Sequence, residues 1–143
     1  SKEEKKISVL ELKEWEEFRE KYLKRSFTGT FLKFGEQLYL APEGLPALKG
    51  LKVLRPGLHL GTVKKKRFEP AHGLALFLHP GEVTYERQLS MQEAQAYLNG
   101  QTIPAFGEKG WYLATIDGYS LGWGKVSGSV MKNHYPRGLR IML

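Results

Sequence analysis

The chain has 143 residues, of which 41% are hydrophobic and 12% aromatic, and its formal net charge is +7. This length and composition suit one folded domain, or two small lobes that share a core, rather than a disordered chain. The sequence has no run of about 18 apolar residues, which excludes a membrane-spanning helix. It has no cysteine, which excludes disulfides, cysteine-ligated zinc and a cysteine nucleophile.

The amino-terminal segment argues against export. The stretch SKEEKKISVL is charged and lacks the apolar core of a signal peptide. Together with the absence of cysteine, this predicts a cytoplasmic protein with no membrane partner. The chain begins with Ser1 rather than Met, from which we expect a truncated or engineered start.

The first half of the chain predicts one helix and several short strands. Ser8 and Glu11 have the spacing of a capping box, and the apolar residues that follow predict a helix over about 9–24. A short helix over 71–78 is expected to start at Pro70, with a buried strand as the alternative. The predicted strands lie at 27–34, 37–40 and, on either side of a turn, within 51–60.

The second half predicts a helix followed by hairpin-connected strands. Ser90 and Glu93 form a second capping box, which starts a helix that ends near residue 98. Tight-turn signals at 117–118 and 127–128 then delimit the strands. These strands follow a loop over 101–109 and are expected at 111–116, 119–126, 129–134 and, as a short closing strand, 140–143.

Together these elements predict an α+β fold. A small mixed lobe is followed by a partly closed β-barrel with flanking short helices, and the boundary between the two is expected within 79–90. Trp123, between two glycines, is predicted to pack into the barrel core rather than to stack on a base. With a turn at 127–128, Lys125 would pair with Val130, which places Lys125 and His134 at opposite ends of a strip.

The positive charge is distributed unevenly. Residues 64–67 are four consecutive cations, and no acidic residue follows Asp117. Such asymmetry favours a polyanionic partner, although an inert basic surface has the same composition. Basic side chains suit phosphates, and nearby aromatic rings suit unpaired bases. The candidate RNA-binding residues are Lys64, Lys65, Lys66, Arg67, Tyr119, Lys125, His134, Tyr135 and Arg137.

Signals for an enzyme are weak. The glycines at 122, 124 and 128 lie inside predicted strands and turns, whereas a dinucleotide fingerprint needs them between a strand and a helix. The four histidines lack the spacing of metal ligands. A stand-alone enzyme is therefore disfavoured, and we expect no catalytic residue, metal or cofactor in this chain.

Three stretches resemble a known family. LKVLRPGLHLGTVKKKRFEPAHGLAL (51–76), YLNGQTI (97–103) and GWYLATIDGYSLGWGKVSGSVMKNHYPRGLR (110–140) look like the carboxyl-terminal region of the RsmF-like, Sun-type rRNA cytosine-C5 methyltransferases. The resemblance implies a linker helix and first carboxyl-terminal lobe over 1–80. It also implies a PUA-like, RNA-binding lobe over 81–143.

Catalysis in this family uses a cysteine nucleophile and S-adenosylmethionine, bound on a Rossmann-like domain. This chain has no cysteine and is too short for that domain. The resemblance therefore implies an accessory region that docks a parent 5-methylcytosine methyltransferase on ribosomal RNA, expected to be small-subunit RNA. Its other partner would be its own catalytic domain. The alternative is a lobe that packs on the catalytic domain without contacting RNA.

Overall fold

The computed structural model of the chain describes residues 5–6, 12–41 and 57–141. Within these ranges the chain forms two five-stranded sheets with three α-helices, which confirms the predicted α+β class. The elements are β1 (Lys5–Lys6), α1 (Lys13–Tyr22), β2 (Thr30–Phe34), β3 (Gln37–Ala41), β4 (Leu58–Lys64), β5 (Arg67–Pro70), α2 (His72–Phe77), β6 (Glu86–Gln88), α3 (Met91–Leu98), β7 (Ile103–Pro104), β8 (Gly110–Ile116), β9 (Tyr119–Ser127) and β10 (Val130–Asn133).

The first sheet is an antiparallel meander in the order β1-β2-β3-β4-β5, so each strand pairs with its neighbours in sequence. Its last turn, between β4 and β5, consists of Lys65 and Lys66, and Lys66 adopts a left-handed φ of 61°. The run of cations at 64–67 therefore forms the tip and base of a hairpin.

The second sheet has the order β6-β8-β9-β10-β7, with β6 parallel to β8 and the other pairs antiparallel. Strands β8 and β9 are joined at Asp117 and Gly118, whose φ values of 48° and 80° suit a tight hairpin turn. This confirms the predicted hairpin. No helix in the described part of the chain is long and apolar enough to cross a membrane.

One hydrophobic core lies between the two sheets. Trp15 and Phe18 from α1 meet Leu38 and Leu60 from the first sheet and Trp123 from β9 in a single buried cluster. Because both sheets contribute to this core, the inner face of one sheet fixes the position of the other.

Trp123 is a core residue, as predicted. Its side chain is only 2% exposed, and its indole N–H donates to the carbonyl oxygen of Ala71 over 2.9 Å. The neighbouring Gly124 lies on the opposite face of β9, where a Cβ atom would collide with the side chain of Met131. The glycine thus leaves room for packing and not for a ligand.

Both predicted helices in the middle of the chain are confirmed. The α2 segment is a helix rather than a buried strand. The Ser90 hydroxyl accepts from the Glu93 amide (3.1 Å), and the Glu93 carboxylate accepts from the Ser90 amide (2.9 Å), which completes the capping box of α3. The other predicted capping box, at Ser8, and the first strand within 51–60 lie outside the described residues.

The predicted β9–β10 register is wrong. Val130 pairs with Ser127, and Lys132 pairs with Lys125, so the turn consists of Gly128 and Ser129 rather than residues 127–128. The reason is the backbone: Gly128 has a φ of 67°, and a glycine at the first central position makes a type II′ turn. The predicted closing strand is also absent at Arg140 and Ile141, the part of it that the structure describes.

Replacing Trp123 by Ala should lower the free energy of unfolding by about 3–5 kcal/mol, because a large buried ring leaves a cavity. Trp123→Phe keeps most of the ring and loses the bond to Ala71, so its cost should be smaller. Urea unfolding of the two variants measures both values. A Trp123→Ala variant as stable as the wild type would contradict this assignment.

Candidate nucleic-acid interface

Two lysines lie directly opposite each other on adjacent strands. Trp111 on β8 pairs with Lys125 on β9, and Lys125 pairs with Lys132 on β10. Directly paired residues lie on the same face of a sheet, and this face also carries Trp123 into the core. Trp111 is only 6% exposed at the edge of that core, whereas Lys125 and Lys132 are exposed. The two ammonium groups thus lie on the same face of the sheet as Trp123, but where that face is open to solvent.

Trp111 brings Lys125 and His134 together. The Lys125 Nζ atom lies 5.0 Å from the centre of the Trp111 ring, and the His134 ring centre lies 4.6 Å from it. The amide of His134 donates to the carbonyl oxygen of Trp123 (3.2 Å), so β10 pairing continues one residue past Asn133. The prediction that Lys125 and His134 lie at opposite ends of a strip is therefore wrong, because the true register moves them closer.

His134 adds little positive charge at neutral pH. Partial burial lowers its pKa; Glu69 acts in the opposite direction, and the charges of Lys132 and Lys125 lower the pKa further. The net result is a pKa below the usual 6.5. The positive charge of this surface at pH 7 comes from the lysines.

The cations at 64–67 differ in their surroundings. Lys64 pairs across the hairpin with Arg67, and its Nζ atom lies 3.3 Å from a carboxylate oxygen of Glu69. Lys65, Lys66 and Arg67 are exposed at the turn. Lys64 is therefore neutralised in part, and the turn carries the charge that is available to a ligand.

Glu69 links the two groups of cations. Its carboxylate is bonded to Lys64 on the first sheet, and its charge also acts on His134 of the second sheet. The end of β5 lies near the end of β10, since the ring centre of His72, two residues after β5, is 5.3 Å from that of Tyr135, two residues after β10. Lys64, Glu69, His134 and the Lys125–Lys132 pair thus lie at one junction between the sheets.

The other predicted residues lie apart from this junction. Tyr135 is half-buried, with its ring centre 5.3 Å from that of His72 and 5.5 Å from that of Tyr97, so it serves the packing. Tyr119 is exposed but starts β9, six residues and roughly 20 Å of extended strand from Lys125. Arg137 is exposed in a short 3-10 turn.

Two exposed residues were not predicted. Lys132 alternates with the buried Met131 on β10, a period-2 signal that could have identified it. Phe106 is exposed in the loop between β7 and β8. The residues around it show no periodic pattern that could have identified it. Among the described residues, no group of three His, Asp or Glu side chains could hold a metal ion.

The mixed second sheet with its short flanking helices forms a half-barrel of the PUA-like class, next to a lobe built on the antiparallel first sheet. Two family models match the chain. One describes the "RsmF rRNA methyltransferase first C-terminal domain" and matches residues 17–78, and the other describes the "Methyltransferase RsmF PUA domain" and matches residues 85–141. The chain belongs to this family and corresponds to the carboxyl-terminal region of RsmF-like rRNA methyltransferases.

Individual relatives agree. The chain is 26% identical to a protein of Psychromonas ingrahamii over 87% of this chain and 28% of the relative. It is 34% identical to a protein of Shewanella sediminis (72% and 22%) and 34% identical to one of Shewanella piezotolerans (82% and 26%). All three are named "Ribosomal RNA small subunit methyltransferase F". The chain thus spans less than a third of the length of these relatives.

Stability should fall as the pH drops below about 6.5. Burial lowers the pKa of His59, His72 and His134 in the folded chain. The unfolded chain protonates them near the usual 6.5, so below that pH it binds more protons than the folded chain. The stabilisation is present above pH 6.5 and is lost as the pH falls through the folded pKa values. Thermal unfolding between about pH 7.5 and 5.5 measures this, before the carboxylates titrate.

The control variant is His134→Gln, which removes one of the three groups. Its melting temperature should fall less steeply with decreasing pH than that of the wild type. Identical pH profiles for the two proteins would show that the pKa of His134 is the same in the folded and unfolded chains. That result would contradict the lowered pKa of His134 in the folded chain.

Proposed function

We propose that this chain is the RNA-binding accessory region of an rRNA cytosine-C5 methyltransferase, and that it docks the catalytic part of that enzyme on ribosomal RNA. The observation that carries the proposal is the directly opposed pair Lys125 and Lys132, which is exposed on the same face of the second sheet as Trp123.

The lysine pair favours an anionic ligand on energetic grounds. Directly paired residues on neighbouring strands have Cβ atoms about 5 Å apart, and like charges at that distance destabilise the sheet. A phosphate group between the two ammonium groups would remove this repulsion and release condensed counterions from the RNA. The overall charge of +7 adds a long-range attraction for the same partner.

The finer parts of the proposal come from the relatives. Because their names specify the small subunit, we propose small-subunit ribosomal RNA as the ligand, in the cytoplasm. Methyl transfer from S-adenosylmethionine to cytosine would belong to the catalytic part of a full-length enzyme. We assign no residue of this chain to that step or to that cofactor. The lobes would act as the units 1–80 and 81–143, with the RNA surface at their junction.

A second candidate role rests on a different surface. The helix α2 exposes Leu76 and Phe77, and exposed apolar side chains on one helix suit a protein contact. This region could pack on the catalytic domain. The two roles use different residues, so they can be separated by mutation.

The charge-removing double variant Lys125→Gln/Lys132→Gln should bind RNA more weakly and with a flatter salt dependence. Each lost phosphate contact should lower the slope of log affinity against log salt by roughly 0.7–0.9. Two contacts should therefore remove roughly 1.4–1.8 units of slope. Fluorescence anisotropy of a labelled small-subunit rRNA fragment, titrated between about 50 and 200 mM salt, measures this.

The matched control is Lys13→Gln/Lys24→Gln, which removes the same charge from two exposed positions, one at the start of α1 and one two residues after its end. It should leave the slope nearly unchanged. Equal slopes for the two double variants would show that only net charge matters, which would remove the basis for this binding surface. A variant of Leu76 and Phe77 provides the corresponding test of the second role, with RNA binding expected to persist.

A further inference from the structure

Phe106 is displayed to solvent by a loop that is held at both ends. The ring is 80% exposed, whereas the preceding Ala105 is buried. The Ala105 amide donates to the carbonyl oxygen of Ser129 (3.0 Å), and the Tyr112 hydroxyl donates to the carbonyl oxygen of Glu108 (2.8 Å). Gly107 has a φ of 126°, a conformation that side-chain-bearing residues rarely adopt. The backbone around Phe106 is therefore fixed while its ring contributes almost nothing to the core.

The loop lies at the same end of the second sheet as the lysine pair. Pro104 pairs with Val130, and Ala105 is bonded to Ser129 in the β9–β10 turn. Val130 is exposed and lies on the same face as Lys132, two residues and roughly 7 Å away along β10. Along this part of the sheet, the exposed residues therefore run from the two lysines to Val130 and Pro104, and the loop with Phe106 comes next.

We propose that Phe106 stacks on an unpaired RNA base while Lys125 and Lys132 hold phosphates of the same strand. The inference rests on the proposed function and adds single-stranded or looped RNA as the class of ligand. An exposed aromatic ring on a rigid loop, roughly four residues or about 13 Å along the sheet from a pair of cations, suits such RNA, because every base offers a flat face for stacking while the cations bind neighbouring phosphates. The loop itself carries Glu108 and Lys109, so it adds no net charge against the phosphates.

The surroundings favour a base over a protein as the occupant. Protein-docking patches are contiguous apolar surfaces, whereas the sheet face next to the Phe106 loop carries Lys125 and Lys132 as well as Val130. The apolar pair on α2, Leu76 and Phe77, fits a protein partner better. Phe77 on α2 and Phe106 thus suit different ligands.

The experiment compares three substitutions at position 106 on two RNAs of equal length. One is a labelled hairpin with an unpaired loop, and the other is a blunt duplex. Phe106→Ala should weaken binding of the hairpin by about 5- to 150-fold, the range for the loss of one stacked base. Phe106→Trp should retain binding, and Phe106→Leu should fail as Ala does. The salt slope and the duplex affinity should stay unchanged, since no cation is lost.

A second readout reports stacking directly. With 2-aminopurine in the hairpin loop, the wild type and Phe106→Trp should quench its fluorescence on binding, and Phe106→Ala and Phe106→Leu should not. Because the ring is exposed, all three variants should melt at the wild-type temperature, which verifies that they are folded.

The failures of the two proposals can be told apart. If the wild type shows no salt-dependent binding of either RNA, the proposed function fails, and the stacking inference fails with it. If the wild type binds but Phe106→Ala binds equally well, only the stacking inference is overturned. Full affinity in Phe106→Leu would also overturn it, because an apolar contact without a ring would then suffice.

Discussion

The packing of Trp123 between the two sheets determines where the charged surface lies. Its ring occupies the shared core, with the Phe18 ring centre 6.0 Å away, and its N–H is bonded to the carbonyl oxygen of Ala71 at the start of α2. With Trp123 pointing into the core, the two-residue period of β9 places Lys125 on the same face. Phe18 of α1 and the start of α2 cover Trp123, whereas Lys125 is exposed to solvent. A buried aromatic residue thus orients an exposed cation.

A second buried cluster, which lies on the other face of the second sheet and includes Tyr97, Val126 and Met131, fixes the register of the neighbouring strand. Met131 is completely buried against Val126, and it covers Gly124 on the face opposite to Trp123. Since Met131 points inward on β10, Lys132 must point to the other face, directly beside Lys125. The lysine pair is therefore a consequence of packing on both faces of β9. The repulsion between the two lysines is offset by the burial of Trp123 and Met131, which determines where the lysines lie.

Long periodic segments were predictable from the sequence, and short or long-range features were not. The helices α1 and α3 have several apolar residues at helical spacing, and the Ser90 capping box marks the start of α3. In contrast, β6 and β7 have three and two residues, too few for any period, and β6 forms only by pairing with β8. The run at 64–67 was visible as charge, but its salt bridge to Glu69 depends on the pairing of β4 with β5. Phe106 was missed because exposure of a loop residue is a tertiary property.

The junction between the sheets combines groups that oppose one another. Lys125 and Lys132 repel, Glu69 neutralises part of Lys64, and His134 is kept neutral at pH 7 by burial and by the lysines. Removing the lysine pair would relieve a like-charge repulsion in the sheet, so its presence supports the anionic ligand that we propose. Glu69 also limits the proposed ligand, because a phosphate near Lys64 would compete with the salt bridge between Lys64 and Glu69. Within the described residues, neither Lys125 nor Lys132 forms a salt bridge with a carboxylate. These contacts support the proposed anion position at Lys125 on β9 and Lys132 on β10, the strands that lead towards Phe106.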